Sequence, residues 1–229
     1  SVISFRLSPT ALKAGDNATV TLVFSEAVAS FEAADITAAG TAGAADNGTL
    51  ATMTSINNIT WTGIFTPAAN TEEASNTLSL AASWTDTAGN AGTDNTTANY
   101  EVDTLLPSVN SIVISSASGI QNNFLNAGDN VSVTATFRES VIVDNASGNP
   151  ELTLVVGSYS REATYASGSG SAPLVFQYTI QAGDNDTNGI SIGENALDLS
   201  GGTIRDPAGN NAALTHSSVG NNTNYKVDT

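Results

Sequence analysis

Residues 12–28 read LKAGDNATVTLVFSEAV, and residues 125–141 read LNAGDNVSVTATFRESV. In the first stretch Val20, Leu22 and Phe24 alternate with a second, threonine-rich set of side chains. Alternation with a period of two predicts a β-strand that buries one face. The triplet AGD just before the alternation is typical of a turn. The recurrence of the whole pattern predicts the same strand, in the same setting, in a second copy of one domain.

The repeat extends along the whole chain. Residue 12 aligns with residue 125, an offset of 113, and the same offset carries Phe65 onto Tyr178. Each copy also closes on a shared phrase, NYEVDT at 99–104 and NYKVDT at 224–229. The positions that recur within the opening stretches are Leu12/Leu125, Gly15/Gly128, Asp16/Asp129, Val20/Val133, Phe24/Phe137, Glu26/Glu139 and Val28/Val141.

These matches predict two tandem domains at residues 1–104 and 108–229. The offset grows towards the end of the second copy, which indicates a different subtype of the same domain. Residues 105–107 form the linker, and its proline restricts the backbone on both sides of the Leu106–Pro107 bond. The chain therefore reads as two repeats joined by a short, stiff connection.

Composition limits the classes of function. The chain has 229 residues, of which 40% are hydrophobic and only 12% are charged. Its 22 acidic and 6 basic residues give a net charge of −16, which argues against binding to nucleic acid or to anionic membranes. There is no cysteine for a disulfide, and no apolar run is long enough to cross a membrane as a helix. The acids either solubilise the surface or bind hard cations.

Short β-strand patterns separated by turn signals predict an all-β fold, with two tandem immunoglobulin-like β-sandwich domains. FEAADI, residues 31–36, is the one helical signal and predicts a single turn. The strands predicted in the first domain are Ser1–Leu7, Ala18–Phe24, Ile59–Phe65, Thr77–Trp84 and Ala98–Val102. Those predicted in the second are Val131–Phe137, Glu151–Val156, Leu174–Ile180 and Asn224–Val227.

Three strings in the first domain, AGD…VTLVFSEAV, DTAGNAGT and NYEVDT…P, resemble the immunoglobulin-like repeats of very large bacterial surface adhesins of the biofilm-associated and RTX types. FLNAGD, YASGSG and GGTIRDPAGN in the second domain resemble another repeat from such proteins. The resemblance implies a secreted protein of the bacterial cell surface, whose repeats form extender arms that are often stiffened by Ca²⁺. It also implies that the partners are neighbouring repeats of the same chain and that the chain is not an enzyme.

The expected role is thus to project a distal binding domain for adhesion or biofilm formation. Two alternatives stay open: a module that binds carbohydrate or host protein directly, and an accessory region of a secreted hydrolase. A module that binds a ligand should present a concave aromatic or polar patch, whereas an extender should not. We expect a monomer that contacts neither nucleic acid nor the interior of a membrane.

Immunoglobulin-like topology predicts where the acids gather. The loop after the second strand and the loop before the last strand lie at the amino-terminal end of a domain, and the last strand ends at the other. The second domain would therefore present Glu139, Asp206 and Asn210 towards Asp103 of the first. Three carboxylates and an amide suit a six- to eight-coordinate Ca²⁺. The alternative is that Asp-x-Ala-Gly-Asn is only a good turn and that the glutamate is a solvated strand end.

The same logic predicts half-sites at the outer ends of the chain. Glu26, Asp86 and Asn90 would await a preceding repeat, and Asp228 would await a following one. Asp16 belongs with Asp103 at the carboxyl-terminal end of the first domain.

Residues 184–190, DNDTNGI, predict a further Ca²⁺ site inside the second domain. Asp184, Asp186 and Asn188 at alternate positions, followed by glycine and the carbonyl of Ile190, match the start of an EF-hand loop. The twelfth position is Asn195 rather than glutamate, so other ligands would have to complete the site. A plain polar turn is the alternative.

No catalytic constellation is apparent. His216 is the only histidine and has no nucleophile motif near it. Trp61 and Trp84 could form a platform for sugar, but their counterparts in the second domain are Leu174 and Ile204, which indicates core positions.

Overall fold

The computed structural model describes residues 1–40 and 47–229. Two compact units divide the chain, Ser1–Leu105 and Leu106–Thr229, here called unit 1 and unit 2. Regular structure in the described residues is β-strand, apart from one 3-10 helix at Ala33–Asp35. The predicted all-β, immunoglobulin-like fold is therefore confirmed, and the helical turn lies inside FEAADI as expected.

Unit 1 consists of two sheets that share one core. One sheet has the strand order β1-β3-β6-β5, and the other has the order β2-β9-β7-β4 with β8 beside β7. A cis peptide bond precedes Pro9, between β1 and β2. The strands are β1 Val2–Ser8, β2 Ala11–Lys13, β3 Ala18–Phe24, β4 Ile36–Gly40, β5 Gly48–Leu50, β6 Thr60–Pro67, β7 Glu72–Leu80, β8 Asn95–Thr96 and β9 Tyr100–Asp103.

Unit 2 has one large and one small sheet. The large sheet runs β10-β12-β15-β14-β13-β17, with β18 paired to the end of β12, and the small one runs β11-β19-β16. The strands are β10 Val109–Ser118, β11 Phe124–Leu125, β12 Asn130–Asp144, β13 Glu151–Val156, β14 Tyr159–Ser167, β15 Ser171–Thr179, β16 Asn185–Asp186, β17 Ser191–Asp198, β18 Thr203–Arg205 and β19 Lys226–Asp228.

Strand β3 and its counterpart β12 form the centre of each unit. In β3, Val20, Leu22 and Phe24 are fully buried, whereas the intervening Thr21 and Val23 are only partly buried, as the alternation predicted. β12 buries Val133 and Phe137 in the same way. Each strand is hydrogen-bonded on both sides, β3 by β1 and β6 and β12 by β10 and β15, so neither its pairing nor its register can slip without exposing the core.

The last strand of each unit pairs in parallel with a short early strand. In unit 1, β2 pairs with β9 through Leu12 and Val102, and in unit 2, β11 pairs with β19 through Leu125 and Val227. All four of these side chains are buried. The shared phrase at the end of each repeat therefore closes the second sheet over the core.

Several predicted strands differ from the observed ones. The strand expected at Thr77–Trp84 is β7, Glu72–Leu80, because its polar first half pairs with β9 across a bulge and so lacks an apolar signal. β12 continues to Asp144 because its second half pairs with β18. The final strand begins at Lys226 because the residues before it form a turn.

Trp84 reaches the core from a loop, not from a strand. It is 3% exposed, and its ring centroid lies 4.5 Å from that of Phe24. Trp61 packs against the same core from β6, opposite Leu22, just as Leu174 lies opposite Ala135 in unit 2. The core interpretation of both tryptophans is confirmed.

The two faces of β3 should respond differently to nearly isosteric substitutions. Val20→Thr places a hydroxyl in the core, where no partner was needed before, and should lower the free energy of unfolding of unit 1 by about 1–3 kcal/mol. Thr21→Val, on the outer face, should stay within about 0.5 kcal/mol of wild type. Both tryptophans lie in unit 1, so urea unfolding followed by tryptophan fluorescence reports on that unit. Equal effects would contradict the assignment of the two faces.

Candidate metal centre

The Asp-x-Ala-Gly-Asn segments form the same closed turn in both units. In unit 1, Asp86 accepts hydrogen bonds from the backbone N–H of Asn90 at 2.8 Å and from its side-chain Nδ2 at 2.7 Å. In unit 2, Asp206 accepts the equivalent pair from Asn210, both at 2.8 Å. The turn therefore holds each carboxylate in one orientation, with the lone pairs that the turn does not use available to a cation.

In unit 1 the turn also favours the ionised state of the Asp86 carboxyl group. The side-chain hydrogen bond from Asn90, together with backbone N–H groups of the turn, holds the pKa of Asp86 below its usual range in spite of desolvation. A carboxylate that stays ionised and points in a fixed direction is the type of ligand that Ca²⁺ prefers.

In unit 1 this turn lies at the amino-terminal end. The N–H of Ser25 donates to the carbonyl of Ser1 at 2.8 Å, so the end of β3 is beside the chain start. Val28 forms a β-bridge with Asp86, which places the turn next to the segment that follows Glu26. Glu26, Asp86 and Asn90 thus belong to one end of the unit, although Glu26 is exposed and has no hydrogen bond described to the turn.

In unit 2 the equivalent acids are close together. Carboxylate oxygens of Glu139 and Asp206 lie within 4.8 Å of each other. Asp206 is 2% exposed and Asn210 is 3% exposed. Two carboxylates this close repel each other unless a cation or proton lies near both, so the donor set fits a hard divalent cation.

The repeated phrase Val-Asp-Thr has three separate roles. Val102 fills the core, and Asp103 pairs across the sheet with Lys13 and Glu72 at the carboxyl-terminal end. Thr104 is 5% exposed and acts as a clip: its Oγ1 donates to the carbonyl of Ala68 at 2.6 Å and accepts from the N–H of Thr71 at 3.0 Å.

Unit 2 repeats this arrangement at its own end. Val227 is fully buried, and Asp228 pairs with Asn185. Oγ1 of Thr229 donates to the carbonyl of Asp184 at 2.9 Å and accepts from the N–H of Gly183 at 2.8 Å. The threonine clip was not foreseen from the sequence, although its recurrence in both phrases was a usable signal.

Asp16 closes a turn through two hydrogen bonds to Lys13, and its predicted role as a ligand stays a prediction. Its Oδ2 accepts from the N–H of Lys13 at 3.2 Å, and its own N–H donates back to the Lys13 carbonyl at 3.0 Å. Asp129 makes the same pair of bonds with Asn126. The AGD triplet is thus a self-capped turn in both units.

In the DNDTNGI loop, Asp184 is engaged by protein groups. Its carboxylate is fully buried and bonds to Arg161, with Nη2 at 2.6 Å and Nε at 2.8 Å from Oδ1. Oδ2 accepts from the Tyr178 hydroxyl and from the N–H of Gln181. Burial by itself raises the pKa of Asp184, but the bonds from Tyr178, Gln181 and Arg161 outweigh it and hold that pKa below its usual range.

The rest of the loop is tied in the same way. Oδ1 of Asp186 accepts from the N–H groups of Asn188 and Gly189, and Oδ2 accepts from the N–H of Gly157 at 2.8 Å. The Ile190 carbonyl accepts from the N–H of Asn222 at 2.9 Å. These bonds favour the alternative of a structural turn. Arg161, which carries half of the ion pair, could not be connected to Asp184 from sequence because it lies on β14 and Asp184 lies in the loop after β15.

Comparison with known proteins places this fold in a family. Residues 2–102 match the family model described as a bacterial Ig-like domain. Unit 1 is a bacterial Ig-like domain. The match covers nearly all of that unit and confirms the resemblance to bacterial immunoglobulin-like repeats that the sequence motifs carry. Unit 2 is related to this Ig-like domain through the internal repeat.

Two solved structures are similar to this chain at low sequence identity. The Escherichia coli adhesin FdeC is 13% identical with a TM-score of 0.45, covering 100% of this chain and 66% of the adhesin. A DUF4785 family protein from Legionella pneumophila is 11% identical with a TM-score of 0.37, covering 93% of this chain and 55% of that protein. The chain thus spans less than two thirds of either structure. No sequence among the curated proteins matches it.

Two clefts occur in the described part of unit 1. One of about 290 Å³ is lined by small and aliphatic residues that include Ala33, Ile36 and Leu50. The other, of about 200 Å³, is lined by Asp16, Asn17, Thr66 and Thr104 among others. Neither contains an aromatic side chain, and both are below the roughly 300 Å³ at which small-molecule sites usually begin. Among the described residues, no helix is long and apolar enough to cross a membrane.

The threonine clip of the Ig-like domain can be tested with an isosteric change. Thr104→Val keeps the shape but leaves the Thr71 N–H and the Ala68 carbonyl without their partner, so unit 1 should lose about 1–3 kcal/mol of unfolding free energy. Thr104→Ser keeps the hydroxyl and should lose less than half as much. Urea unfolding followed by tryptophan fluorescence measures both. If valine is tolerated as well as serine, the hydroxyl does not hold the loop.

The Arg161–Asp184 pair should make unit 2 sensitive to acid. Because the folded state lowers the pKa of Asp184, the ionised carboxylate stabilises unit 2 fully at pH values above the unfolded pKa of about 3.9. This stabilisation is lost as the pH falls from there through the lower pKa of the folded state. Asp184→Asn should cost about 3 kcal/mol at pH 7, the lower end for breaking a buried pair, since Arg161 is 29% exposed.

Amide NMR signals of unit 2 followed in urea provide the measurement. Asp184→Asn should remove part of the acid sensitivity seen between pH 5 and pH 3. Glu162→Gln is the matched control, because that exposed carboxylate bonds only to Thr153 among the hydrogen bonds described, and it should stay within about 0.5 kcal/mol of wild type. A harmless Asp184→Asn would show that the buried pair is not stabilising.

Proposed function

We propose that the chain is a non-catalytic extender from a secreted bacterial adhesin, which projects a distal binding domain from the cell surface. The bacterial Ig-like family of unit 1 supports this role. The clefts described in unit 1 contain no aromatic platform on which a sugar could stack, although polar side chains line part of the second cleft.

The observation that carries the proposal is the parallel pairing of an early strand with the last strand in each unit. When such a unit is pulled by its two ends, the early strand is drawn one way and the last strand the other. All hydrogen bonds between the two strands are then loaded together instead of one after another. β2 and β9 pair over Ala11–Lys13 and Glu101–Asp103, and β11 pairs with β19 in the same sense. This geometry suits a protein that transmits force along its length.

Single-molecule pulling on the whole chain tests this mechanical role. Unit 1 releases 105 residues and unit 2 releases 124, at roughly 3.3–3.6 Å per residue, so the two events are distinguishable. Glu101→Pro removes the N–H that donates to the Thr10 carbonyl at 2.7 Å and should lower the unfolding force of unit 1.

Ala51→Pro is the matched control for the pulling experiment. It removes the N–H that donates to the Ile64 carbonyl at 2.8 Å, a bond outside the parallel pair, and the unfolding force should change little. If both prolines lower the force equally, the parallel pair does not bear the load and the mechanical role loses its support.

We further propose that Ca²⁺ stiffens the connection between the repeats, bound by Asp103 together with Glu139, Asp206 and Asn210. The proximity of Glu139 and Asp206 within unit 2 supports this, as does the turn that orients Asp206. The covalent chain supports it too. The Pro107 carbonyl accepts a hydrogen bond from the N–H of Ala213 at 2.8 Å, and Ala213 follows Asn210 by three residues. Asp103 precedes Pro107 by four residues, so the chain between them spans at most about 14 Å.

Calcium should stabilise the chain through this site. Extracellular Ca²⁺ sites typically have dissociation constants of about 0.1–1 mM. At 10 mM Ca²⁺ a site with a constant near 0.1 mM adds about 2.7 kcal/mol to the stability. Thermal unfolding in 10 mM CaCl₂ should therefore occur at a clearly higher temperature than in EDTA.

Glu139→Gln or Asp103→Asn should abolish the calcium effect while each unit stays folded, and Glu162→Gln should retain it. The double variant Asp184→Asn/Asp186→Asn should also retain the calcium effect if DNDTNGI is a structural turn. If the loop is an ion site, the double variant should bind calcium more weakly than the wild type. Equal unfolding temperatures in CaCl₂ and EDTA for the wild type would refute the calcium proposal without touching the mechanical one.

A further inference from the structure

Residues 211–224 form a strap along the outer strand of the large sheet in unit 2. β17 is the last strand of that sheet, so one side of its backbone faces away from β13. Ile192 and Val219 exchange two backbone hydrogen bonds, of 2.9 and 2.8 Å, and the N–H of Asn222 donates to the Ile190 carbonyl at 2.9 Å. The strap thus covers an edge that would otherwise be open to pairing with another strand.

His216 lies in the middle of the strap and attaches it to β17 through three hydrogen bonds. The N–H of Asn195 donates to the His216 carbonyl at 3.2 Å, and the His216 N–H donates to Oδ1 of Asn195 at 3.1 Å. The third bond uses the ring: the N–H of Ala196 donates to Nε2 at 2.8 Å. Asn195 adopts a φ of 53°, a left-handed conformation that interrupts the regular strand at this point.

The third bond requires a neutral imidazole. Since Nε2 accepts a hydrogen bond, the single ring proton is on Nδ1, which lies 2.9 Å from the Ser217 carbonyl oxygen. Adding a proton to Nε2 turns the acceptor into a donor, so that two N–H groups face each other. The bond to Ala196 is then lost, and the strap loses the one attachment that depends on a titrating side chain.

We propose that His216 is a pH-sensitive latch, which holds the strap over β17 when neutral and releases it when protonated. An imidazole changes charge between about pH 5 and 8, whereas unperturbed carboxyl groups do so near pH 4. His216 is the only histidine in the chain, so no other imidazole contributes in this range.

The charged side chains on the strands beside the latch, β17 and β13, are carboxylates. β17 carries Glu194 and Asp198, and Asp198 lies across from Glu151 on β13. The strap itself has no other titratable side chain over residues 211–224. The carboxylates of β17 attract an imidazolium while the strap is closed, but both are exposed, so solvent screens this attraction and it opposes release only weakly.

Release of the strap would uncover the backbone edge of β17. Ile190 and Ile192, under the strap, are 0% and 1% exposed, and Val219 packs on the same core. An opened strap leaves the backbone of β17 free to add a strand from another polypeptide, so mild acid would change the surface that unit 2 presents. This inference goes beyond the extender role and does not depend on calcium.

Amide hydrogen exchange measured by NMR on the full chain tests the latch. The protection factors of the Asn195, Ala196, Ile192 and Val219 amides should fall at least about tenfold between pH 7.5 and pH 5.5, after correction for the intrinsic pH dependence of exchange. The amides of Val133 and Phe176, in the centre of the same sheet, should keep their protection.

Two variants keep the test decisive. His216→Gln supplies a side-chain oxygen that can accept from Ala196 and does not titrate, so protection should be high and independent of pH. His216→Ala should give low protection at both pH values. Wild-type protection that is unchanged at pH 5.5, or a His216→Gln variant with the same pH response as wild type, would overturn the proposal.

Discussion

The architecture of each unit depends on its last strand, which pairs in parallel with a short strand near the start of the same unit. Without β9 or β19 the second sheet has no closing strand, and Leu12 and Leu125 lose the valines they meet across the pair. The same strand ends on the threonine whose hydroxyl ties down a neighbouring loop. One short segment in each unit, the last strand with the threonine after it, therefore closes the core, attaches the loop and sets the direction in which the chain continues from the sheet.

Turn chemistry explains how several acids of this chain contribute to its structure. Asp86 and Asp206 each accept hydrogen bonds from the asparagine four residues later, and Asp16 and Asp129 close their turns in a similar way. These hydrogen bonds orient each carboxylate, and in unit 1 they hold the pKa of Asp86 below its usual range. Asp206 additionally has Glu139 close by, and that pair of like charges is the basis of the proposed cation site.

The two units differ in how they secure the loop that follows β6 in unit 1 and β15 in unit 2. In unit 1 the threonine clip of residue 104 is the main tie to residues 68–71. Unit 2 adds a buried ion pair, in which Arg161 reaches Asp184 below the exposed ring of Tyr159. Burial first, and the bond to Asp184 second, raise the pKa of Tyr178 to about 12, so its hydroxyl remains a donor to that carboxylate at neutral pH. The ion pair at Oδ1 and the hydrogen bonds at Oδ2 leave little room for a metal at Asp184.

The sequence by itself determined the fold class, the repeat and the central strand of each unit. Alternation at Val20, Leu22 and Phe24 is a local property of a strand with one buried face, and it can be read without knowing what packs on it. The turns AGD and Asp-x-Ala-Gly-Asn are local in the same sense, since each aspartate bonds to residues within four positions of itself.

Tertiary structure decided everything that joins distant positions. The DNDTNGI spacing resembles an ion-binding loop, but Arg161 and Tyr178, from two other strands, take the oxygens of Asp184. His216 looked like an isolated polar residue until the strap brought its ring to the Ala196 N–H. β7 was misplaced because pairing with β9, not apolar side chains, makes its first half a strand. Hydrogen bonds between segments far apart in sequence leave no periodic signal, so only the folded chain could show them.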